Sequence, residues 1–174
     1  MRIYEKELIL TKYKLTETLG MGTENTNWGQ SVTGVVIKDN KVLLARHTYG
    51  GGAGLLIVPG GYVNEGETPQ EALVREYMEE TKVTVKPLDI IGIRFNMHDW
   101  YIAFRAEYVS GDATSDHEEN SEVLWVDVEE ALAREDVPEL TKKLIESAVK
   151  QEAGLHKEEY NGSTKHGAYS LYCL

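Results

Sequence analysis

The sequence predicts an α/β fold in which a mixed sheet is covered by helices on both faces. Short apolar stretches lie before and after a central helix predicted at 69–81, and a second long helix is predicted from Pro138 to about Ala153. Strands that flank helices in this order favour a sheet packed between helical layers. Thr68 and Glu71 form a capping box at the start of the central helix. The 174 residues are sufficient for one domain of ordinary size.

The strands are predicted from apolar stretches bounded by turn residues, at 32–37, 42–45, 55–58, 83–85, 90–95, 100–109 and 122–128. Asp39-Asn40 is a hairpin signal between the first two strands. Pro87 is predicted to interrupt the sheet, because proline lacks the amide that a central strand donates. Asp127 is predicted to cap a short helix at 129–133.

Three segments follow from this distribution of elements. Residues 1–30 are predicted to form an N-terminal strand extension, which a polar, glycine-rich link connects to the main domain. The main domain is predicted to comprise residues 31–153. The tail, 154–174, contains three tyrosines among glycine, serine and histidine, and is predicted to be irregular, either docked by its tyrosines or loose.

The composition argues against several classes of function. The 29 acidic and 18 basic residues give a net charge of −11, which opposes binding of a nucleic-acid polymer, since such binding depends on lysine and arginine. No apolar stretch reaches the roughly 20 residues of a membrane span, and the charged N-terminus does not resemble a signal peptide. Cys173 is the only cysteine, so no internal disulfide is expected. A cytoplasmic protein that does not bind membranes is the expectation.

The central helix carries the most informative charge pattern. Glu76, Glu79 and Glu80 fall on one face of the helix, at i, i+3 and i+4. Each like-charge pair at this spacing costs roughly 0.2–0.5 kcal/mol, and partial burial increases the repulsion. A divalent cation removes that cost, and carboxylates are the ligands that Mg²⁺ and Mn²⁺ prefer. The alternative is a solvated acidic face that binds nothing.

The segment from Gly61 to Val83 resembles the Nudix box. That pattern is G-x5-E-x7-R-E-U-x-E-E-x-G-U, where x is any residue and U is a bulky aliphatic residue. The positions that match are Gly61, Glu67, Arg75, Glu76, Glu79, Glu80 and Val83. Tyr77 and Lys82 depart from the pattern, standing where an aliphatic residue and a glycine are usual.

The resemblance implies an α/β/α sandwich and hydrolysis of a nucleoside diphosphate linked to another group. By the family pattern, the metal, Mg²⁺ or Mn²⁺, is bound by Glu76, Glu79, Glu80 and the carbonyl oxygen of Gly60. Arg75 is expected to pair with the glutamates, most directly Glu79, and Glu67 to orient a water molecule or Arg75. The extension at 1–30 is expected either to pair two subunits as a homodimer or to cover the edge of the sheet.

A separate carboxylate is expected outside the box, as general base or as a further metal ligand, and the resemblance implies that it lies in the acidic loop at 112–120. Glu119, six residues before Trp125, is the first candidate, and Glu118 and Glu122 compete with it. A solvated loop without a chemical role is the alternative.

Substrate-binding residues are less well defined. Arg46 is a candidate for a phosphate contact, with a surface ion pair as the alternative. The aromatic residues that could stack on a base are Trp28, Trp100 and Tyr101. Family members that act on ADP-ribose have a proline about fifteen residues beyond the box, where His98 stands here. Members that act on dinucleoside polyphosphates have a tyrosine eighteen residues beyond the box, where Tyr101 stands, although a core tyrosine is the commoner explanation.

Three other functions remain open. The same box occurs in nucleoside-triphosphate pyrophosphohydrolases that remove damaged nucleotides. A non-catalytic module that binds a nucleotide is a second alternative, against which the intact glutamates argue. The third is isomerisation of an isoprenoid diphosphate, for which no catalytic residues can be placed in the sequence.

Overall fold

The computed structural model describes residues 29–95, 99–150, 154–158 and 171–173. The strands in these ranges are β1 (Gly29–Lys38), β2 (Lys41–His47), β3 (Leu56–Ile57), β4 (Gly60–Tyr62), β5 (Thr84–Phe95), β6 (Asp99–Ser110), β7 (Asn120–Asp127), β8 (His156–Glu158) and β9 (Leu171–Cys173). The helices are α1 (Pro69–Thr81), α2 (Val128–Ala133) and α3 (Glu139–Val149). None of these helices is long and apolar enough to cross a membrane.

Strand β1 lies at the centre of the mixed sheet. It pairs in parallel with β6, and β5 is the antiparallel neighbour of β6 on the far side. On its other edge, β1 pairs with β4 and, near its end, with β2, both antiparallel. Strands β3 and β7 pair with β2. Strand β4 leads into α1, so this topology brings the start of the box to the middle of the sheet.

Apolar side chains cover both faces of the sheet. On one face, α1 packs through Ala72, Leu73 and Tyr77 against strand residues such as Val32 and Phe104. On the other face, the core combines strand residues with α2 and α3, and its buried members include Val35, Leu44, Val126, Ala131, Leu144 and Ile145. The predicted α/β/α sandwich is therefore confirmed.

Tyr77 fills a place that Gly34 leaves open. The tyrosine is fully buried, and its hydroxyl donates a 2.5 Å hydrogen bond to the Gly34 carbonyl oxygen. A Cβ at residue 34 would lie 3.1 Å from both the Tyr77 ring and Leu73, so the glycine provides the room for the larger ring. The departure from an aliphatic residue is thus accommodated by packing.

Helix α1 begins and ends as its residues dictate. The Thr68 hydroxyl accepts from the Glu71 amide, and the Glu71 carboxylate accepts from the Thr68 amide, which completes the predicted capping box. At the other end Lys82 adopts the left-handed conformation, with φ 61° and ψ 17°. Asp39 and Asn40 are also left-handed, which closes the predicted hairpin between β1 and β2.

Two predictions about regular structure are wrong. Strand β5 runs continuously through Pro87, and the proline is accommodated by shifts of register between Pro87 and Gly92. Helix α3 ends at Val149 instead of Ala153, and 151–153 lie outside the described residues. The short helix capped by Asp127 is confirmed.

The described part of the tail is more ordered than predicted. Strands β8 and β9 pair antiparallel, and the Tyr172 hydroxyl accepts a 2.7 Å hydrogen bond from Gln70 on α1. The Tyr172 ring also meets Phe104 edge to face. Tyr160, Tyr169 and the predicted extension up to Trp28 lie outside the described residues, so the dimer expectation stays a prediction.

Candidate active site

Acidic side chains from α1 and from the loop before β7 converge on one cleft. The cleft has a volume of about 340 Å³ and is lined by Glu76, Glu79, Glu80, Lys82, Asp116, Glu118 and Glu119. The structure therefore brings the three glutamates of the box together with the predicted general base. Six carboxylates face a single lysine along this lining, so the cleft attracts cations.

Glu80 is buried in this cleft without a hydrogen-bond partner. Its side chain is 2% exposed, and neither carboxylate oxygen is hydrogen-bonded. Burial is the main reason why its pKa rises to about 8, and the charges of Glu76 and Glu119 raise it further. The Gly60 backbone acts in the opposite direction and lowers the pKa. An ionised carboxylate in such a place is costly unless a cation neutralises it.

Glu76 occupies the space that a side chain at residue 61 would fill. The nearest atoms to an ideal Cβ on Gly61 all belong to the Glu76 carboxylate. Burial raises the pKa of Glu76, whereas the hydrogen bond and charge of Arg75 lower it. The glycine that opens the box therefore lets a box carboxylate lie directly over the β4 backbone.

Gly60 has a different steric role. Its φ is 154°, and a Cβ there would collide with the backbone of Val32 and Thr33 on β1. The Thr33 hydroxyl donates a 2.6 Å hydrogen bond to the Pro59 carbonyl, which fixes the turn from the other side. Gly60 thus allows β4 to approach β1, while its role as a metal ligand stays a prediction.

Arg75 connects the turn before α1 to the acidic face. Its Nε and Nη2 donate to the two Glu67 oxygens at 3.0 and 2.6 Å, and its Nη1 donates to Glu76 and Glu79 at 2.8 and 3.0 Å. Nη2 also donates to the Tyr62 carbonyl at 2.9 Å. The predicted pair with Glu79 is present, and Glu67 orients the arginine directly.

The acidic loop is held in place by two polar side chains. One carboxylate oxygen of Asp116 accepts hydrogen bonds from the amides of Glu118, Glu119 and Asn120 at 3.0–3.2 Å. The Asn120 side chain, fully buried, donates to the Glu80 carbonyl at 2.9 Å. The loop and α1 are consequently joined at the residue that lies deepest in the cleft.

Glu119 also contacts the end of β2. The Thr48 amide donates to the Glu119 carbonyl at 3.0 Å, and the Tyr49 hydroxyl donates to Glu119 Oε2 at 3.1 Å. Glu118 lines the same cleft. Glu122, the other competitor, instead accepts from Arg46 Nε at 2.8 Å.

The predicted substrate-binding residues are spread over the fold. Arg46 donates to Glu122, to Asp136 and to the Gly54 carbonyl, which is the ion-pair alternative to a phosphate contact. Tyr101 packs against the apolar core, and its ring lies 4.8 Å below the Arg94 guanidinium. Trp100 is exposed beside Phe95 on the β5–β6 hairpin. Trp28 and His98 lie outside the described residues.

Sequence reasoning missed Asp116, Thr48 and Tyr49. Asp116 falls within the acidic loop, but nothing in its spacing distinguishes an acid that caps the backbone from one that faces the cleft. Tyr49 lies in the connection after β2 and belongs to no motif in the sequence. The contact between these segments depends on the pairing of β2 with β7, which no local pattern reveals.

The carboxylates of the cleft are suitable ligands for a divalent cation, although their side chains are not arranged around a common point. Within the described residues, no group of three or more His, Cys, Asp or Glu side chains is arranged so that it could hold a metal ion. Arg75 pairs with Glu76 and Glu79 instead. The unpartnered carboxylate of Glu80 and the hard oxygen chemistry of the cleft are the features that match Mg²⁺ or Mn²⁺.

Comparison with known proteins gives consistent matches. The NUDIX domain model matches residues 28–147. The NAD-capped RNA hydrolase NudC of Vibrio atlanticus (strain LGP32) is 33% identical over 121 residues, which are 66% of this chain and 43% of that protein. The ADP-ribose pyrophosphatase of Methanocaldococcus jannaschii is 41% identical over 63 residues, 36% of this chain and 37% of that protein.

The fold also matches solved structures. The crystal structure of the MutT protein from Methanosarcina mazei Go1 superposes with a TM-score of 0.60 and 29% identity, over 71% of this chain and 94% of that one. The chain spans well under half the length of the two curated relatives, 43% and 37%.

Proposed function

The chain belongs to the NUDIX family, and on that basis we propose that it is a divalent-cation-dependent hydrolase of nucleoside diphosphate derivatives. The bond cleaved is the pyrophosphate linkage, and the products are a nucleotide and a phosphorylated second group. The observation that carries this proposal is the buried, unpartnered carboxylate of Glu80 inside a cleft lined by six acidic residues.

The residues of the cleft would have different roles in such a reaction. Glu80, with Glu76 and Glu79, would hold Mg²⁺ or Mn²⁺ once the latter two turn away from Arg75. The bound ion would neutralise the diphosphate charge and lower the pKa of a nucleophilic water. Glu119 is the side chain that would accept the proton of that water, since it lines the same cleft from another segment.

Arg75 would keep the carboxylates of Glu76 and Glu79 close to the cleft. Its contacts with both Glu67 oxygens leave Nη1 as the group shared with the metal-binding side chains. An arginine that spans the turn and the helix in this way would keep the Glu76 and Glu79 side chains near the cleft when they change partners.

Adenosine diphosphate derivatives are the first substrates to test. The printed names of the two curated relatives refer to an NAD cap and to ADP-ribose, which both contain an adenosine diphosphate. The net charge of −11 favours a free nucleotide over a capped RNA for this chain. Nucleotide sugars, dinucleoside polyphosphates and nucleoside triphosphates remain the alternatives.

The test is a substrate screen with product identification. ADP-ribose, NAD, a UDP-sugar, a diadenosine polyphosphate, nucleoside triphosphates and an NAD-capped oligonucleotide would be incubated with Mg²⁺ or Mn²⁺, and the products identified by mass spectrometry. A nucleoside monophosphate and a phosphorylated second product support the proposal. Inorganic pyrophosphate released from a triphosphate would favour the nucleotide-sanitising alternative. Binding without turnover of any compound would favour the non-catalytic module.

Matched variants connect the activity to the cleft. Glu80→Gln and Glu79→Gln should each remove most of the turnover while the protein stays folded. Glu129→Gln, on an exposed position of α2, should leave turnover unchanged.

A further inference from the structure

Tyr49 contacts the acidic loop from a segment outside the box. Its hydroxyl donates to Oε2 of Glu119 at 3.1 Å. The preceding residue, Thr48, donates from its hydroxyl to the carbonyl oxygens of Glu118 and Glu119, both at 2.9 Å. The amide of Thr48 adds a third contact, to the Glu119 carbonyl at 3.0 Å. Glu119 is thus fixed through both its backbone and its carboxylate.

A β-bulge produces this arrangement. Arg46 pairs with Glu122, but His47 pairs with Asn120, so Ser121 has no opposite residue in the ladder. A bulge turns the following side chains away from the regular pleat. The register is therefore shifted by one residue at His47, and the next two residues, Thr48 and Tyr49, contact the loop at 118–119.

The hydrogen bond from Tyr49 contributes little to the stability of the fold, but it orients the Glu119 carboxylate. The tyrosine is 54% exposed, and its ring rests against the His47 imidazole at a centroid distance of 5.5 Å. An exposed hydrogen bond adds little to the free energy of unfolding. A donor to a carboxylate nevertheless restricts its rotation, and it leaves Oε1 of Glu119 free to accept a proton.

The hydroxyl remains a donor over the working pH range. Although the residue is largely exposed, partial desolvation raises the pKa of Tyr49 to about 12, and the hydrogen bond and charge of Glu119 add to this shift. The hydroxyl therefore stays protonated and can donate to Glu119 Oε2.

We propose that Tyr49 is a positioning residue for hydrolysis, which holds the Glu119 carboxylate in the acidic cleft in the orientation needed to accept a proton. Tyr49 itself does not touch the reacting atoms. The proposal rests on the hydrolase function proposed above and adds a residue from the end of β2 to the box and the acidic loop.

The test is a double-mutant cycle on the best substrate of the screen. Tyr49→Phe should lower kcat about tenfold with little change in KM, because one hydrogen bond to a charged group is lost. Glu119→Gln should lower kcat by roughly 10²–10⁴-fold. Tyr49→Phe placed in the Glu119→Gln background should cause no further loss, since the residue acts only through Glu119.

Two further variants separate positioning from folding. Tyr108→Phe removes a hydroxyl that donates to the Gly111 carbonyl at 2.9 Å, and it should leave kcat unchanged. Thr48→Val removes the hydroxyl contacts to the same loop and should also lower kcat, while faster amide exchange at 118–120 reports the loosened loop independently of activity.

The outcomes of these experiments test the positioning role of Tyr49 separately from the proposed hydrolase function. Losses that multiply in the double variant, or a Tyr49→Phe enzyme with parental kcat, overturn the positioning role and leave the hydrolase function intact. Parental kcat in Glu119→Gln overturns the role of Glu119 and the inference with it. A parent protein that hydrolyses none of the compounds overturns the proposed function itself.

Discussion

Arg75 binds Glu67 through two parallel hydrogen bonds, from Nε to Oε2 at 3.0 Å and from Nη2 to Oε1 at 2.6 Å. This forked contact lowers the pKa of Glu67, mainly through the hydrogen bonds from Arg75. The Asn64 amide donates to the same carboxylate at 2.6 Å. The turn that precedes α1 is consequently tied to the acidic face by the side chain of one arginine.

We predict that Arg75→Lys lowers both stability and turnover. Lysine keeps the charge but cannot form the fork, so the free energy of unfolding should fall by about 1–3 kcal/mol. Urea unfolding and kcat measure the two effects. Arg134→Lys, which breaks a similar fork to Asp136 away from the cleft, is the control and should lower stability alone. Parental kcat in Arg75→Lys would show that the arginine is only structural.

The raised pKa of Glu80 predicts a stability that depends on pH in the metal-free protein. The carboxyl has a pKa of about 8 when folded and 4.5 as its ordinary value, so the folded state binds the extra proton between these values. This contribution to stability is complete below pH 4.5 and is lost as the pH rises through 8, at no more than about 1.4 kcal/mol per pH unit.

Unfolding curves in EDTA from pH 5 to pH 9 would measure this effect. Glu80→Gln should remove the dependence due to this residue and should be more stable than the parent at the alkaline end. Saturating Mg²⁺ should reduce the difference, because the ion stabilises the ionised carboxylate. Identical pH profiles for parent and variant would contradict the assignment.

Lys82→Gly should stabilise the protein. Residue 82 has φ 61°, a conformation that costs a lysine more than a glycine. The variant loses the hydrogen bond from Nζ to the Glu79 carbonyl, which is exposed and weak. We expect a gain of up to roughly 1 kcal/mol, measured by thermal unfolding. Lys82→Ala, which keeps the steric cost, is the control, and a lower melting temperature for Lys82→Gly would refute the argument.

Alanine substitutions at the two glycines of β4 should have different consequences: one should affect folding and the other metal binding. A Cβ at Gly60 meets the rigid backbone of β1, so Gly60→Ala should lower the melting temperature or prevent folding. A Cβ at Gly61 meets only the end of the Glu76 side chain, which can move. Gly61→Ala should therefore fold and lose at least tenfold in affinity for Mn²⁺, as followed by calorimetry. An intact affinity would mean that Glu76 does not bind the ion from this position.

The elements that depend on local sequence were predictable. The sequence predicts helix α1 at its observed bounds, because Thr68, Pro69 and Glu71 determine its start. The turn at Asp39-Asn40 was equally well determined. The predicted interruption at Pro87 is wrong, because shifts of register let β5 continue past a residue that has no amide hydrogen to donate.

The site was predictable only where its residues are close in the chain. The three box glutamates and Arg75 lie within two helical turns, so spacing alone places them on one side. Glu119 reaches the cleft through the pairing of β2 with β7, and Tyr49 reaches Glu119 through a bulge in that ladder. Long-range pairing of this kind is set by the whole fold, and no pattern in either segment reports it.

A divalent cation in the acidic cleft should be required for cleavage of a phosphoanhydride bond. The most direct measurement is turnover of the best substrate from the screen, in excess EDTA and after titration with Mg²⁺. We predict no turnover in EDTA and full recovery with Mg²⁺ or Mn²⁺ in the parent, but not in Glu80→Gln. Full turnover in excess EDTA would contradict the account.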